Sequence, residues 1–337
     1  MHPSITAVVL AAGKGTRMKS TRAKVLHEVF FRPMLHHVLH TVQEADIDRC
    51  AVIVGHQRQE VLGVLEGFPI SPVVQEEQLG TGHAVLCAEA ACAQTDLVMI
   101  LCGDTPLLQA ATLRAMIAAH QGQRAQLTLM TTLLDQPFGY GRILSDGHGA
   151  VLAIVEEKDA SDEQRRIREI NAGVYLVDRA FLFTALRHVG VDNSQGEVYL
   201  TDIVAIANRQ GLTVHKFTHP EAIDVLGVNS RIELAQAQAT LQRRHNRSLM
   251  LAGVTLLAPE TTLIAPDCQV GQDTVVEGGV TFSNGAVVGS NCRVGSGCVL
   301  HACRIGEGTI IGANSVLEHC AIAAGSVIAP LTRQNGN

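Results

Sequence analysis

"VVLAAGKGTRM" fills residues 8–18 and decides how the rest of the chain is read. It begins as a buried strand and runs at once into small residues and glycines. Arg17 follows, and Lys24 a little later. A backbone stripped of side chains lets a ligand approach its N–H groups, and cations just beyond it point to an anion. The stretch is not a G-x-x-x-x-G-K-[ST] phosphate loop, and Met18 stands where a dinucleotide fingerprint needs its third glycine. Read alone, it is also an ordinary glycine-rich turn with two solvated cations. The ligand reading expects exposed N–H donors at Ala11, Ala12 and Gly13, with Arg17 and Lys24 suited to a triphosphate.

Outward from this stretch, strand and helix patterns alternate to about residue 227. "PMLHHVLHTVQEA" spaces Met34, Leu35, Val38, Leu39 and Val42 as one helical face. "CAVIVG" reads as a second buried strand and "RQEVLGVLEG" as a helix closed by Gly67. "SPVVQEE", "GHAVLCAEAACAQ" and "DLVMILCGD" give strand, helix and strand again. Repeated βαβ units predict a parallel sheet covered on both faces, with ligands beyond the carboxyl ends of its strands. Gln75 and Gly80–Thr81 follow the third strand, and Asp104 ends the fourth. A carboxylate there suits a hard divalent cation, or equally a turn leading into Thr105–Pro106.

From about residue 137 the texture changes. "GRILSDGHGAVLAIVEEKD" reads as a hairpin turned at "DGHG", and "NAGVYLVDR" and "AFLFTALRHV" as strand and helix. We expect this segment as an insertion across the open face of the first half. "RIELAQAQATLQRRHNRSLMLAG" is one long helix with few bulky apolar residues, expected as a connecting arm.

The last part carries a repeat. Val270, Val276, Phe282, Val288, Val294 and Leu300 recur at six-residue steps, continued by Ile305, Ile311, Leu317, Ile322 and Ile328. A small residue precedes each by two positions, so both face one side of a short strand. Such hexads predict a parallel β-helix whose stacked coils share one core. All five cysteines of this region take the small slot, where they act as compact apolar residues. Cys303 and Cys320 fall one coil apart in one column, within bridging distance; we expect free thiols, with a disulfide only on oxidation.

The chain of 337 residues is 47% apolar, 3% aromatic and carries a net charge of −6, without tryptophan. Its scattered basic residues do not favour a nucleic-acid partner. No apolar run reaches the roughly 20 residues of a membrane span, and no secretory leader is evident. Nine cysteines without a C-x-x-C pair fit a reducing cytoplasm.

Taken in order, L-x-x-G-x-G-T-R-M with "AKVL", "QLGTGHA", "GDTPL", "GYGRI", "IVEEKDA", "EINAG", "GEVYLTDI" and "GVNSR" resembles the sugar-nucleotide pyrophosphorylase superfamily. Spacing and order are similar to its bacterial N-acetylglucosamine-1-phosphate uridylyltransferases, from about residue 5 to 330. The resemblance implies a Rossmann-like nucleotide-diphospho-sugar transferase domain over 1–228 and a helical arm over 229–250. It also implies a short left-handed parallel β-helix over 251–330, with a tail over 331–337. It implies UTP and N-acetylglucosamine-1-phosphate as substrates, Mg²⁺ as cofactor and a homotrimer formed through the β-helix. Leu10, Ala11, Ala12, Gly13 and Gly103 would surround the nucleotide, and Gln75, Gly80 and Thr81 would read the uracil. Arg17 and Lys24 would act on the phosphates. Gly141, Glu156 and Asn171 would line the sugar pocket, and Asp104 with Asn229 would hold the metal. Taken singly, Glu156, Asn171 and Asn229 look like surface turn residues. Cys102 departs from the aromatic residue common in the family. The later coils that carry acetyl transfer are missing, so that activity is expected to be absent. A pyrophosphorylase for another sugar-nucleotide pair and a catalytically silent scaffold are the alternatives.

Overall fold

The computed structural model describes residues 3–336. It divides into two compact units, Met1–Glu28 with Arg32–Glu233, and Val29–Phe31 with Leu234–Asn337.

In the first unit the chain runs β1 (Ile5–Leu10), α1 (Met34–Glu44), β2 (Arg49–Val54), α2 (Arg58–Leu65), β3 (Ser71–Val74) and α3 (Thr81–Cys87). It continues with β4 (Leu97–Cys102), α4 (Ala110–Gln123), β5 (Leu127–Leu133), β6 (Arg142–Ser145), β7 (Val151–Val155) and β8 (Glu169–Asp178). Helices α5 (Arg179–Leu186) and α6 (Asp202–Arg209) and strand β9 (Val214–Thr218) follow. The main sheet has the order β9-β5-β8-β4-β1-β2-β3, with the β6–β7 hairpin hung from β8.

Period-two alternation explains the two cores. Ile5, Ala7 and Val9 of β1 face Leu35, Val38 and Leu39 of α1, whereas Val8 faces Ala84 and Val85 of α3 with α5 and α6. Both faces are covered, so β1, β2 and β4 are apolar over most of their length, and β2 and β4 each pair with β1 in parallel. From β1 the chain steps outward to β2 and β3, then crosses to β4 on the other side. The carboxyl ends of β1 and β4 therefore form the topological switch point, where a crevice opens.

The segment expected as an insertion is part of the sheet itself. β8 lies between β4 and β5 and runs antiparallel to both, with Tyr175 opposite Ile100 and Leu129. Its alternating residues Ile170, Val174 and Leu176 are fully buried, which a lid over an open face would not achieve. Only the β6–β7 hairpin projects, and it turns at the predicted "DGHG".

In the second unit two-residue and three-residue strands stack in three parallel sheets. Val276, Val294 and Ile311 form one buried column, and Ile264, Phe282, Leu300 and Leu317 another. The repeat begins earlier than the sequence pattern reveals, at Thr255–Leu256 and Leu263–Ile264, because an eight-residue step separates Leu256 from Ile264. It also ends later: Arg333–Asn335, within the segment read as a tail, pairs with Val316–Glu318, while Asn337 lies outside the described residues.

The small slots do more than fill space. Thr309 Oγ1 donates to the Gly306 carbonyl at 2.7 Å and Ser315 Oγ to that of Gly312 at 2.8 Å. Cys292 and Cys298 thiols reach the same two carbonyls at 3.2 Å. Short polar or thiol side chains thus satisfy corner carbonyls that the ladders leave open. Glycine after the large residue reflects coil stacking: a Cβ on Gly306 would lie 2.4 Å from the Ala324 nitrogen. Every cysteine is free.

Helix α7 (Arg231–Leu251), expected as a connecting arm, has a packed face as well. Gln242 Nε2 donates to the Glu260 and Thr262 carbonyls at 3.0 Å, and Asn246 Nδ2 to those of Pro259 and Thr262 at 2.7 and 2.8 Å. Asn246 is wholly buried. The helix is held to the first coil by amides, which is why an apolar-moment reading missed its packed face.

Candidate active site

Beyond β1 and β4 lies a cleft of about 450 Å³ lined by Leu10, Ala11, Ala12, Gly13, Lys24 and Asp104, and on its other side by Gln75, Gly80 and Thr81. Strand β1 delivers the loop, whose course is fixed by its own backbone: the Ala11 N–H donates to the Ile53 carbonyl at 2.9 Å. This corrects the expectation of a free donor at Ala11, which is buried. Among the described residues, the Ala12 and Gly13 N–H groups have no hydrogen-bond partner. Gly13 is exposed, and no atom lies within 4 Å of where its Cβ would be. Gly103 is buried and spends its N–H on the Leu10 carbonyl at 2.9 Å, so it ties the two strand ends together rather than facing a ligand.

Four side chains from distant parts of the sequence meet at the cleft's edge. Lys24 Nζ forms an ion pair with Asp104 and donates to Asn229 Oδ1 at 3.0 Å. Arg17 donates to the same amide oxygen at 3.0 Å. Asn229 is aimed by its N–H on Glu233 at 2.6 Å and by its own amide on the Gly227 carbonyl at 2.9 Å. The Val228 N–H binds the Asp104 carbonyl, so the segment 227–229 lies along the end of β4. Gly227 stands where a Cβ would come 3.1 Å from the Asp104 carboxylate. Among the described residues, no three His, Cys, Asp or Glu side chains gather as a metal cage. The oxygens of Asp104 and Asn229 are instead spanned by one cation already, the Lys24 ammonium.

On the opposite wall, Gln75 is buried and its Nε2 contacts the Gly80 carbonyl at 3.2 Å and His83 Nδ1 at 3.0 Å. Gly80, with φ +107°, begins α3, and a side chain there would strike the Val198 carbonyl at 2.6 Å. Thr81 Oγ1 accepts from the Leu200 N–H at 3.1 Å.

Gly141, Glu156 and Asn171 gather beside β8, outside the cleft's lining. The Asn171 N–H donates to the Gly141 carbonyl at 2.9 Å, and a Cβ on Gly141 would sit 3.5 Å from Glu156 Oε2. Burial pushes the Glu156 carboxyl up from its ordinary value, against the 3.1 Å hydrogen bond it accepts from Thr201. Asn171 lies at the irregularity where β8 shifts register before Tyr175, next to Gly173 at φ +74°. Burial, with Asp104 beside it, pushes the Cys102 thiol up to about 12, so it stays protonated and unreactive.

Sequence reasoning missed several participants. Gly15, at φ +60°, would place a Cβ 2.5 Å from Lys24 Cβ, so the loop needs its second glycine to seat the lysine. Tyr140 and Arg142 were present in "GYGRI" and Thr201 in "GEVYLTDI", but nothing local marks them out. Lys14, Gln78 and Glu197 also line the cleft.

Residues 7–171 match the family model of the MobA-like NTP transferase domain, and residues 285–319 that of the bacterial transferase hexapeptide repeat. The bifunctional protein GlmU of Desulfotalea psychrophila is 50% identical over 301 residues, 89% of each chain. That of Syntrophotalea carbinolica is 46% identical over 89% of this chain and 64% of its own length. The chain thus spans about two thirds of the latter relative. A putative glucose-1-phosphate thymidylyltransferase structure from Bacillus anthracis covers 70% of this chain, and 95% of its own, with a TM-score of 0.58 at 19% identity, a likeness of fold alone. An NTP-transferase sheet joined to a hexapeptide β-helix defines the class: a nucleotidyltransferase with a repeat domain. Within that class, the chain belongs to the GlmU family.

Proposed function

We propose that the protein transfers a uridylyl group from UTP to N-acetylglucosamine-1-phosphate, releasing pyrophosphate, in the cytoplasm and as a trimer built on the β-helix. The observation that carries this reading is the meeting of Arg17, Lys24, Asp104 and Asn229 at the edge of one cleft. The names of the GlmU relatives support the substrate pair.

A sugar-phosphate oxygen attacks the α-phosphorus in line, and pyrophosphate leaves. The nucleophile is already anionic, so no base is needed. The difficulty is bringing two polyanions together while charge grows on the leaving group. Arg17 and Lys24 offset that charge, and the Ala12 and Gly13 N–H groups hold the nucleotide close. Gln75 and the backbone at Gly80 and Thr81 read the base. Gly141, Glu156 and Asn171 hold the sugar. Asp104 and Asn229 would hold Mg²⁺, a fit supported by the single cation their oxygens already share; the metal supplies charge neutralisation on the triphosphate.

Pyrophosphate release measured over a panel of sugar-1-phosphates and nucleotides, with and without Mg²⁺, tests this. N-Acetylglucosamine-1-phosphate with UTP should be preferred and Mg²⁺ required; preference for glucose-1-phosphate or dTTP, or ligand binding without turnover, contradicts it. Light scattering near the monomer mass of 35.9 kDa would remove the trimer.

A further inference from the structure

We propose that the ion pair between buried Arg142 and half-buried Glu157 fixes the 137–141 loop against Arg17 and Glu156, making both its members positioning residues for the sugar phosphate; this rests on the uridylyltransferase reading. Arg142 is only 2% exposed, an unusual place for a guanidinium. Its Nη2 donates to Glu157 Oε2 at 2.7 Å and its Nη1 to the Tyr140 carbonyl, while its Nε has no partner. Glu157 Oε2 also accepts the Gly139 N–H at 3.0 Å. One carboxylate and one guanidinium therefore hold two backbone groups of the same loop, which otherwise belongs to neither β5 nor β6.

The loop reaches the chemistry at both ends. A Cβ on Gly139 would sit 3.3 Å from an Arg17 guanidinium nitrogen, and φ there is +85°. Gly141 packs its backbone against Glu156 and receives the Asn171 N–H. Between them, the Tyr140 phenol lies near enough to Asp104 and Arg17 to feel both charges. A shift of the loop would thus move the Gly141–Glu156 wall directly, whereas Arg17 is held independently by Asn229 and meets the loop only at the edge of its guanidinium. Replacing the pair by apolar residues would fill the space equally well, and often with more stability. A buried guanidinium with an unsatisfied Nε is poor stabilising material, which favours positioning as the use of the pair. Arg165, whose Nε lies 3.7 Å from Glu157 Oε1, is a weaker, half-exposed support.

The experiment uses the full chain carrying Glu157→Ala and, separately, Glu157→Gln, with UTP and N-acetylglucosamine-1-phosphate as probes. For Glu157→Ala we expect KM for the sugar phosphate to rise by about tenfold or more while KM for UTP changes by less than about twofold. Glu157→Gln keeps an acceptor for Gly139 and should recover most of the loss. Phe138, 81% exposed on this loop, gives a readout that needs no turnover: chymotryptic cleavage after it should quicken in Glu157→Ala. Parallel changes in both KM values, or unchanged Phe138 cleavage in folded Glu157→Ala, overturn the proposal. A wild-type chain inactive with this substrate pair refutes the uridylyltransferase reading, and the Phe138 cleavage still decides whether the pair holds the loop.

Discussion

Asp104 illustrates what a single position can and cannot reveal. Its place at the end of an apolar strand was plain from "DLVMILCGD", but a turn aspartate would look the same. Asn229 had no local signal, because its meaning comes from Lys24 and Arg17, more than two hundred residues away. Only the ordered set of motifs brought these residues forward. Asp104→Ala and Arg17→Ala should each lower kcat by roughly tenfold to a thousandfold, the usual scale for lost electrostatic stabilisation; near-normal turnover in both would contradict their roles. Glu156 carries a pH signature. Its carboxyl titrates above the ordinary value because it is buried, so its folded form resists ionisation. Below the unfolded value both states are protonated and nothing is lost; stability falls as pH rises from there through the raised folded value. Glu156→Gln should therefore melt higher than wild type at pH 8, with the gap closing toward pH 4. Its KM for the sugar phosphate should rise about tenfold or more as a charged acceptor is lost. Equal melting at both pH values would contradict the assignment of burial as the cause.

The elements were legible where periodicity is the dominant force. β1, β2 and β4 showed as apolar runs, and the hexads as alternation with small partners. Three features escaped for identifiable reasons. β8 has the composition of a core strand, and its place in the sheet depends on long-range antiparallel pairing that no local pattern encodes. The first coil lies within the 251–330 span that the resemblance implied, but its eight-residue step from Leu256 to Ile264 hides it from the six-residue pattern. Helix α7 packs through Gln242 and Asn246, residues that a hydrophobicity reading places in solvent. That last point is measurable. Asn246→Ala leaves the Pro259 and Thr262 carbonyls without this donor and should destabilise the chain by about 2 kcal/mol in urea unfolding. No change in the midpoint would mean the amide contacts contribute nothing.

For the molecule as a whole, each unit follows from a different repeat length. The first unit's βαβ units bury one sheet between helices and leave a crevice at the switch point. The second unit's hexads bury one narrow prism, with glycines where coils approach and Ser, Thr or Cys where corner carbonyls need donors. Among the described residues no helix is long and apolar enough to cross a membrane. Everything turns on whether the cleft beyond β1 and β4 receives a nucleoside triphosphate. Calorimetric titration of the wild-type chain with UTP and Mg²⁺, repeated on Asp104→Ala and on Arg17→Ala, measures this most directly. The account predicts one site per chain in the wild type and a marked loss of affinity or of the Mg²⁺ dependence in each variant. Binding of equal strength and equal Mg²⁺ dependence in all three proteins would contradict it.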